Sequence, residues 1–457
     1  MSTNQTLTKF TWDPQPDAQA LLDFVIADFK HRCPAARELA RRMRDRTGTR
    51  FKDWIDSIEV PGSPEFASKL AGVGFTPRPL PGAPEVFVHE GAMFPAVLLG
   101  TLLRVAIKVD SVTDYLAANH LTADVVGHTL GQYRAACVAK GKDCELWVVE
   151  RHGWRGFEAP SFDPARAVAA QMHLDRLRTR RREFTDAQEG YAHTTALVQD
   201  AVRDIGVDWT CDIFFEAERR FWQSRNRAAQ VQKGRQDRLG LGWANHDHHT
   251  YRCSRETFKA HVALLETLGF HCRESFYAGS EAGWGAQVME QPVTGIITFN
   301  DVDMSAEELM GDFAHEGLAS AKGGLGTVGL WCSLHGESML QAGMHHLECQ
   351  FDFHAWVEQL ESTAGVKTMA PFTTFPFLRQ AFTEGERWPV NPARVDKLLK
   401  DGVITRLQAE LFKQDGALGS HLENLERNDG FKGFNQKGVS DIIRRTDPRK
   451  QAALSGA

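Results

Sequence analysis

None of the eight cysteines stands in a Cys-x-x-Cys pair, which excludes a zinc knuckle and a thioredoxin-like redox motif. They are scattered from Cys33 to Cys349, as in proteins that keep their thiols reduced. The opening Met-Ser-Thr-Asn-Gln lacks a basic-then-apolar leader pattern, so a cytoplasmic location is expected. Long apolar runs are also missing: the longest, Phe94 to Leu103, is too short to cross a bilayer. A positive excess is missing too. Lys and Arg number 53 against 59 Asp and Glu, a net charge of −6, which argues against a nucleic-acid surface. Neither a membrane nor a nucleic acid is an expected partner.

What is present is ordinary globular composition, 42% hydrophobic and 25% charged over 457 residues. Such a chain buries a large core without disulfide or metal staples. Its length fits about three domain-sized units or one elaborated core.

Apolar spacing predicts helix over residues 16–57, with Leu21, Phe24, Val25 and Phe29 on one side. Its Arg37, Arg41, Arg42, Arg44 and Arg46 read as a solvated helix face, because acids are interleaved. A second helix carries Phe66, Leu70 and Val73, stops at Gly74, and is followed by strands at Val86–His89 and Leu102–Val109. Residues 112–235 read as mostly helical, with Glu145–Val149 the exception; the run Arg176, Arg178, Arg180, Arg181 and Arg182 again reads as a solvated face. After Thr250 come a helix closing on Gly269, strands at 270–277, 285–289 and 295–299, a hairpin over 327–353 and a helix over 355–361. The expected organisation is a helical segment (1–62), a βαβββ-like module (63–111), a helical insertion (112–240), a second such module with a hairpin (241–365) and a C-terminal cap (366–457).

Two modules are expected because of an internal repeat. Phe66 opens a helix that ends in Gly74-Phe75, and Phe258 opens one that ends in Gly269-Phe270. Each is followed by a strand, a turn and a second strand. Paired units of this kind build one curved sheet whose concave face holds a ligand. The expected fold is therefore α+β, with paired βαβββ modules around a metal site and a large helical insertion.

Histidines carry the chemistry. They cluster at His246-Asp247-His248-His249 and at His345-His346, and His89 closes a strand. Two neutral imidazoles and one carboxylate leave open positions on iron(II) for a chelating substrate and dioxygen. Strand alternation sends His246 and His248 to one face and His249 to the other. Glu290, closing the strand from Gln287, is the expected carboxylate; Glu316 and Glu348 compete. His346 and Glu348, two apart, share a strand face and form a rival metal corner.

These segments resemble the iron(II)-dependent 2-oxoadipate dioxygenase/decarboxylase (hydroxyglutarate synthase) family of the vicinal-oxygen-chelate superfamily. Val88-His89 is similar to the family's first Val-His strand. Asp247-His248-His249-Thr250-Tyr251-Arg252 matches its Asn-His-Leu-Thr-Pro-Arg motif at His, Thr and Arg, and Glu290-Gln291 echoes its glutamate strand. The resemblance implies one Fe(II) on His89, His248 and Glu290. It also implies oxidative decarboxylation and hydroxylation of a 2-oxo acid by dioxygen, giving a 2-hydroxy acid. Arg252 is expected to neutralise a substrate carboxylate, and Phe434, Asn435 and Gln436 to close over the substrate. Met93, Phe94 and Pro95 stand where the family carries an arginine after the first histidine. A tail less acidic or more apolar than that of 2-oxoadipate is therefore expected. Another metal-dependent enzyme of the superfamily, an extradiol dioxygenase or isomerase, and a non-catalytic small-molecule binder are the alternatives.

Overall fold

The structure, a computed structural model, describes residues 12–435 apart from 84, 321–323 and 372, together with 447–449. It contains two mixed sheets, each built from two βαβββ modules. The first module is β1 (Ile55–Pro61), the helix Pro64–Gly72, β2 (Thr76–Pro77), β3 (Val86–Val88) and β4 (Ala96–Gly100). The second is β5 (Leu103–Lys108), the helix Val112–Ala118, β6 (Val125–Val126), β7 (Tyr133–Gly141) and β8 (Cys144–Arg151). Together they form a sheet of order β2-β3-β4-β1-β5-β8-β7-β6.

The third module is β9 (His246–Cys253), the helix Phe258–Thr267, β10 (His271–Tyr277), β11 (Trp284–Glu290) and β12 (Ile297–Asp303). The fourth is β13 (His346–Cys349), the helix Phe353–Ala364, β14 (Thr373–Phe375), β15 (Leu378–Phe382), β16 (Glu386–Trp388) and β17 (Ala417–Arg427). Their sheet runs β10-β11-β12-β9-β13-β17-β15-β14, with β16 added on β17. In every module the first strand lies parallel to the last, the arrangement that a crossover helix permits. Modules join antiparallel through β1–β5 and β9–β13.

The α+β class, the paired modules and the helical insertion are thus as expected. The partners differ. The units around Phe66 and Phe258 are the first and third modules, and each pairs with its neighbour in sequence rather than with the other. Gly100 leads to Leu103 across two residues, so joining neighbours closes a short loop, whereas joining first to third would close one of well over a hundred.

The second and fourth modules went unread for local reasons. β7 reads Tyr-Arg-Ala-Ala-Cys-Val-Ala, alanine-rich and weak in strand propensity, yet it is held by burial of Ala135 and Ala136. The interval expected to be helical from 112 therefore holds β6 to β8 before its four long helices, Pro164–Arg178, Ala187–Ile205, Val207–Ser224 and Arg227–Asp237. The hairpin expected over 327–353 is instead a helix, Thr327–His335, followed later by β13. Val328, Leu330, Trp331 and Leu334 are all buried, so periodicity offers no face to choose by. At the N-terminus the α-helices end at Thr47, a 3-10 helix covers Phe51–Trp54, and β1 begins at Ile55, so residues 55–57 expected as helix are strand.

The first arginine run is the solvated face expected: Arg41 pairs with Glu38 and Asp45 in water. The second divides. Arg176 and Arg178 form exposed pairs, but the chain leaves its helix at Arg178, and Arg180 and Arg182 turn inward onto Glu218 at 2.9 and 2.5 Å. They also donate to the carbonyls of Met339 and Leu340. This buried cluster ties the insertion to the second sheet. Phe214, Phe215 and Trp222 of the insertion pack with Tyr251 and Leu347 on one side of that sheet, leaving its other, concave face for a cavity. No helix among the described residues is long and apolar enough to cross a membrane.

Candidate metal centre

The two central strands of the second sheet, β9 and β13, meet where the third and fourth modules join, and β17 lies beside β13. Register sets His248, Glu348 and Glu423 in one row across these strands, and Thr250, His346 and His421 in the next. Directly paired residues share a face, as do residues two apart on one strand. His248, His346, Glu348 and Glu423 therefore converge on the concave side. The donor atoms of His248, His346 and Glu348 lie within 4.8 Å of one another. His248 Nε2 contacts Glu348 Oε1, and His346 Nε2 stands 3.1 Å from Glu348 Oε1 and 3.2 Å from Glu423 Oε2.

The surroundings hold these groups still. His248 Nδ1 lies 3.0 Å from Asp247 Oδ1, which fixes the ring and leaves Nε2 for the cavity. Asp247 is gripped by Arg427 at 2.9 and 3.1 Å and by Gln350 at 3.2 Å. Against the cost of burial, Arg427 and His248 keep the Asp247 carboxyl below its ordinary range. Gln380 donates to Glu423 and reaches Glu348 at 3.5 Å.

The two glutamates behave differently from Asp247. Burial, and then the neighbouring Glu423, push the Glu348 carboxyl well above its ordinary range; burial pushes Glu423 up to about 8. Two adjacent buried carboxylates cannot both ionise unless a cation joins them. Burial, and then His248, keep His346 neutral, the state in which imidazole binds metal. Glu423 Oε2 is buried without a hydrogen bond among the described residues. The donor set and its burial fit a divalent cation.

Beside these groups opens a cavity of about 100 Å³, enough for a small organic molecule and not only one water. Phe276, Trp284, Phe299, Phe382 and Phe434 make its walls, and the Phe434 ring meets His248 edge-on at 4.8 Å. Arg252, two alternations along β9 from His248, lies on the same face. It faces Asp301 loosely, Nε to Oδ2 at 3.6 Å. Burial pushes Asp301 up to about 7. Thr250 Oγ1 and Asp301 Oδ1 are buried without a hydrogen bond among the described residues, so polar atoms remain to engage a ligand.

The ligand set expected from sequence is not the set the fold brings together. Only His248 is common to both. His89 follows β3 in the first sheet, packed edge-on against Phe75 and Phe94 at 5.3 and 5.6 Å. Glu290 stands in the row of His248, two strands away through Ile297, but its carboxylate engages Lys432 at 2.9 Å and Arg273 at 3.2 Å. His89 and Glu290 line a different cavity from His248. Met93 and Phe94 go with them, so the arginine missing near His89 does not bear on the cavity beside His248.

His246 does not share the face of His248, because a bulge opposite Glu348 and Cys349 shifts the register and its ring packs against His249 at 5.2 Å. His345 is held on the Gly419 carbonyl. Glu316 is exposed on a short helix. A second donor group, Glu266, Cys272 and His315, sits at the surface with His315 already paired to Glu266 and Asp312. Arg252, Phe434 and Asn435 do line the cavity; Gln436 lies outside the described residues. Sequence reading missed Glu423. Its signal was the alternation His421-Leu422-Glu423 in a strand beyond the region searched.

No family model matches the chain, and no curated protein matches it in sequence. Solved structures do align with it. A glyoxalase-superfamily protein from Ralstonia eutropha covers 59% of this chain and 97% of its own, at 11% identity and a TM-score of 0.33. A triple mutant of 4-hydroxymandelate synthase from Streptomyces coelicolor covers 88% of this chain and 98% of its own, at 14% identity and a TM-score of 0.28. Methylmalonyl-CoA epimerase from Mycobacterium tuberculosis covers 40% and 89%, at 12% identity and a TM-score of 0.22.

Proposed function

We propose that this chain is a metal-dependent enzyme, a non-haem iron(II) dioxygenase that uses dioxygen to decarboxylate a 2-oxo acid and hydroxylate the shortened acid, giving carbon dioxide and a 2-hydroxy acid one carbon shorter. The observation that carries the reading is the convergence of two imidazoles and two carboxylates on one buried cavity. His248, His346 and Glu348 would hold the metal, with Glu423 beside them as a fourth donor. Two neutral imidazoles and a carboxylate are the donor set suited to iron(II) with open positions. When bound, such a metal supplies Lewis acidity toward the 2-oxo acid and a place for dioxygen.

The protein does the rest. Asp247 orients His248, and Arg427 orients Asp247. The aromatic wall keeps water from the reacting carbon. Arg252, Asp301 and Thr250 offer hydrogen bonds to the far end of the substrate, so a polar tail, carboxylate included, is accommodated.

The test is metal analysis of anaerobically reconstituted protein together with oxygen uptake across a panel of 2-oxo acids. One iron per chain and oxygen uptake with at least one acid are expected, both lost in His346→Ala. Metal retained by that variant would overturn the site, and absence of oxygen uptake with every acid would overturn the chemistry. The second carboxylate favours one other reading. With Glu348 on the metal, Glu423 could remove a proton alpha to a carbonyl, as in an isomerase or epimerase. Exchange of substrate hydrogen with deuterated water, without oxygen uptake, would select it.

A further inference from the structure

His89 and Glu290 share a second cavity, of about 570 Å³, between the two sheets. Its size falls within the range of small-molecule sites. Its charge is unlike that of the chain as a whole: eight Lys and Arg line it against four Asp and Glu, in a protein of net charge −6. The four acids are already engaged. Asp56 holds Arg151 at 2.8 Å, and Asp53 holds Arg50 at 2.6 Å. Glu290 holds Lys432 and Arg273, and Glu90 faces Arg78 at 3.8 Å.

Cations are left over. Among the described residues, Lys108 at the end of β5 has no hydrogen bond or ion pair, and Arg155 donates only to the Pro292 carbonyl. Among the described residues, Lys52 donates only to the Asn428 side-chain carbonyl. The leftover charges sit near one another. Lys108 is exposed at the cleft wall, with Asp56, Arg151 and Arg155 for charged neighbours. Burial, and then Arg78, depress the Arg155 guanidinium. His89 adds two buried ring nitrogens that make no geometric hydrogen bond among the described residues.

We infer that this cleft binds a small multivalent oxyanion, a polycarboxylate or a phosphate ester, through Lys108 and Arg155 with Arg78 at its rim. Such a ligand supplies the negative charge that the four engaged acids do not, and Arg155 offers it a planar fork of donors. His89 stands at the same wall to donate or accept a further hydrogen bond. The inference does not depend on the chemistry proposed for the metal cavity, which lies on other residues.

Isothermal titration calorimetry with tricarballylate and with glycerol 3-phosphate, on metal-loaded full-length protein at fixed ionic strength, tests it. At least one of the two should bind at one site per chain, and which one binds better distinguishes a carboxylate ligand from a phosphate ligand. Lys108→Met and Arg155→Gln should each raise Kd at least tenfold, and Lys108→Arg should restore most of the affinity. Metal content should be unchanged in all three. Arg427 is left intact, because it also holds Asp247 behind His248. Failure of both anions to bind, or binding undiminished in Lys108→Met and Arg155→Gln, would overturn the inference. Binding that disappears in His346→Ala would also overturn it, since it would assign the anion to the metal cavity.

Discussion

The two sheets share one strand order, β16 apart, and differ in how charged side chains meet where their modules join. Where the modules of the first sheet join, β1, β5 and β8 set Glu59, Arg104 and Glu145 side by side. Arg104 bridges both acids, at 2.9 and 3.2 Å. In the second sheet the corresponding strands β9, β13 and β17 set His248, Glu348 and Glu423 side by side. Here no arginine stands between the carboxylates, and the row is buried where the first is half-exposed. One row is neutralised within the protein; the other calls for a cation from outside. The shared topology brings charged side chains together at both junctions, and residue identity decides whether they neutralise one another.

The largest effect expected from breaking this contrast is loss of metal. His248→Ala or His346→Ala should reduce bound iron from one per chain to less than about a tenth of that, whereas His89→Ala and Glu290→Gln should keep it, by elemental analysis after anaerobic reconstitution. If His89→Ala also loses metal, the two sheets cooperate in one site and the contrast fails.

Stability should divide the same way. Glu218→Gln leaves Arg180 and Arg182 buried with a halved partner, and denaturant unfolding should show a loss of about 3–5 kcal/mol. Arg104→Met in the half-exposed row of the first sheet should cost no more than about 1 kcal/mol. Asp247→Asn should weaken iron binding about 10–100-fold with the fold intact, because it removes the charge that orients His248.

The smallest effect concerns His152, which joins the first sheet to the insertion through Glu150 and Asp212, each at 2.9 Å. Against the cost of burial, Asp212 and Glu150 raise its pKa to about 10. A folded-state pKa above the unfolded value of about 6.5 contributes stability that is complete below that value and lost as pH rises toward 10. The difference in Tm between the native chain and His152→Gln should therefore shrink from pH 6 to pH 10. A difference independent of pH would mean that the two acids hold His152 by shape alone.

Much of the fold was legible. The Gly-Phe helix ends at Gly74 and Gly269 marked the first and third modules, and the strands after Gly269 lie within a few residues of their expected bounds. The other two modules were hidden because their signals are weak one residue at a time. β7 is rich in alanine, the helix Thr327–His335 is apolar on every side, and β17 follows a long mixed stretch. Pairing with neighbouring strands, not local propensity, makes strands of β7 and β17.

Periodicity and side-chain chemistry suffice for the α+β class, the repeat, the insertion and the interest of His248, Arg252, His346 and Glu348. Which of these side chains meet depends on how distant strands pair in the folded chain. Modules pair with their neighbours, so His89 and His248 belong to different sheets. Register across β9, β13 and β17 brings His346, Glu348 and Glu423 to His248, while Lys432 and Arg273 draw Glu290 away. Ligation depends on atoms a few ångströms apart, and strands that meet edge to edge can be separated by more than a hundred residues of chain.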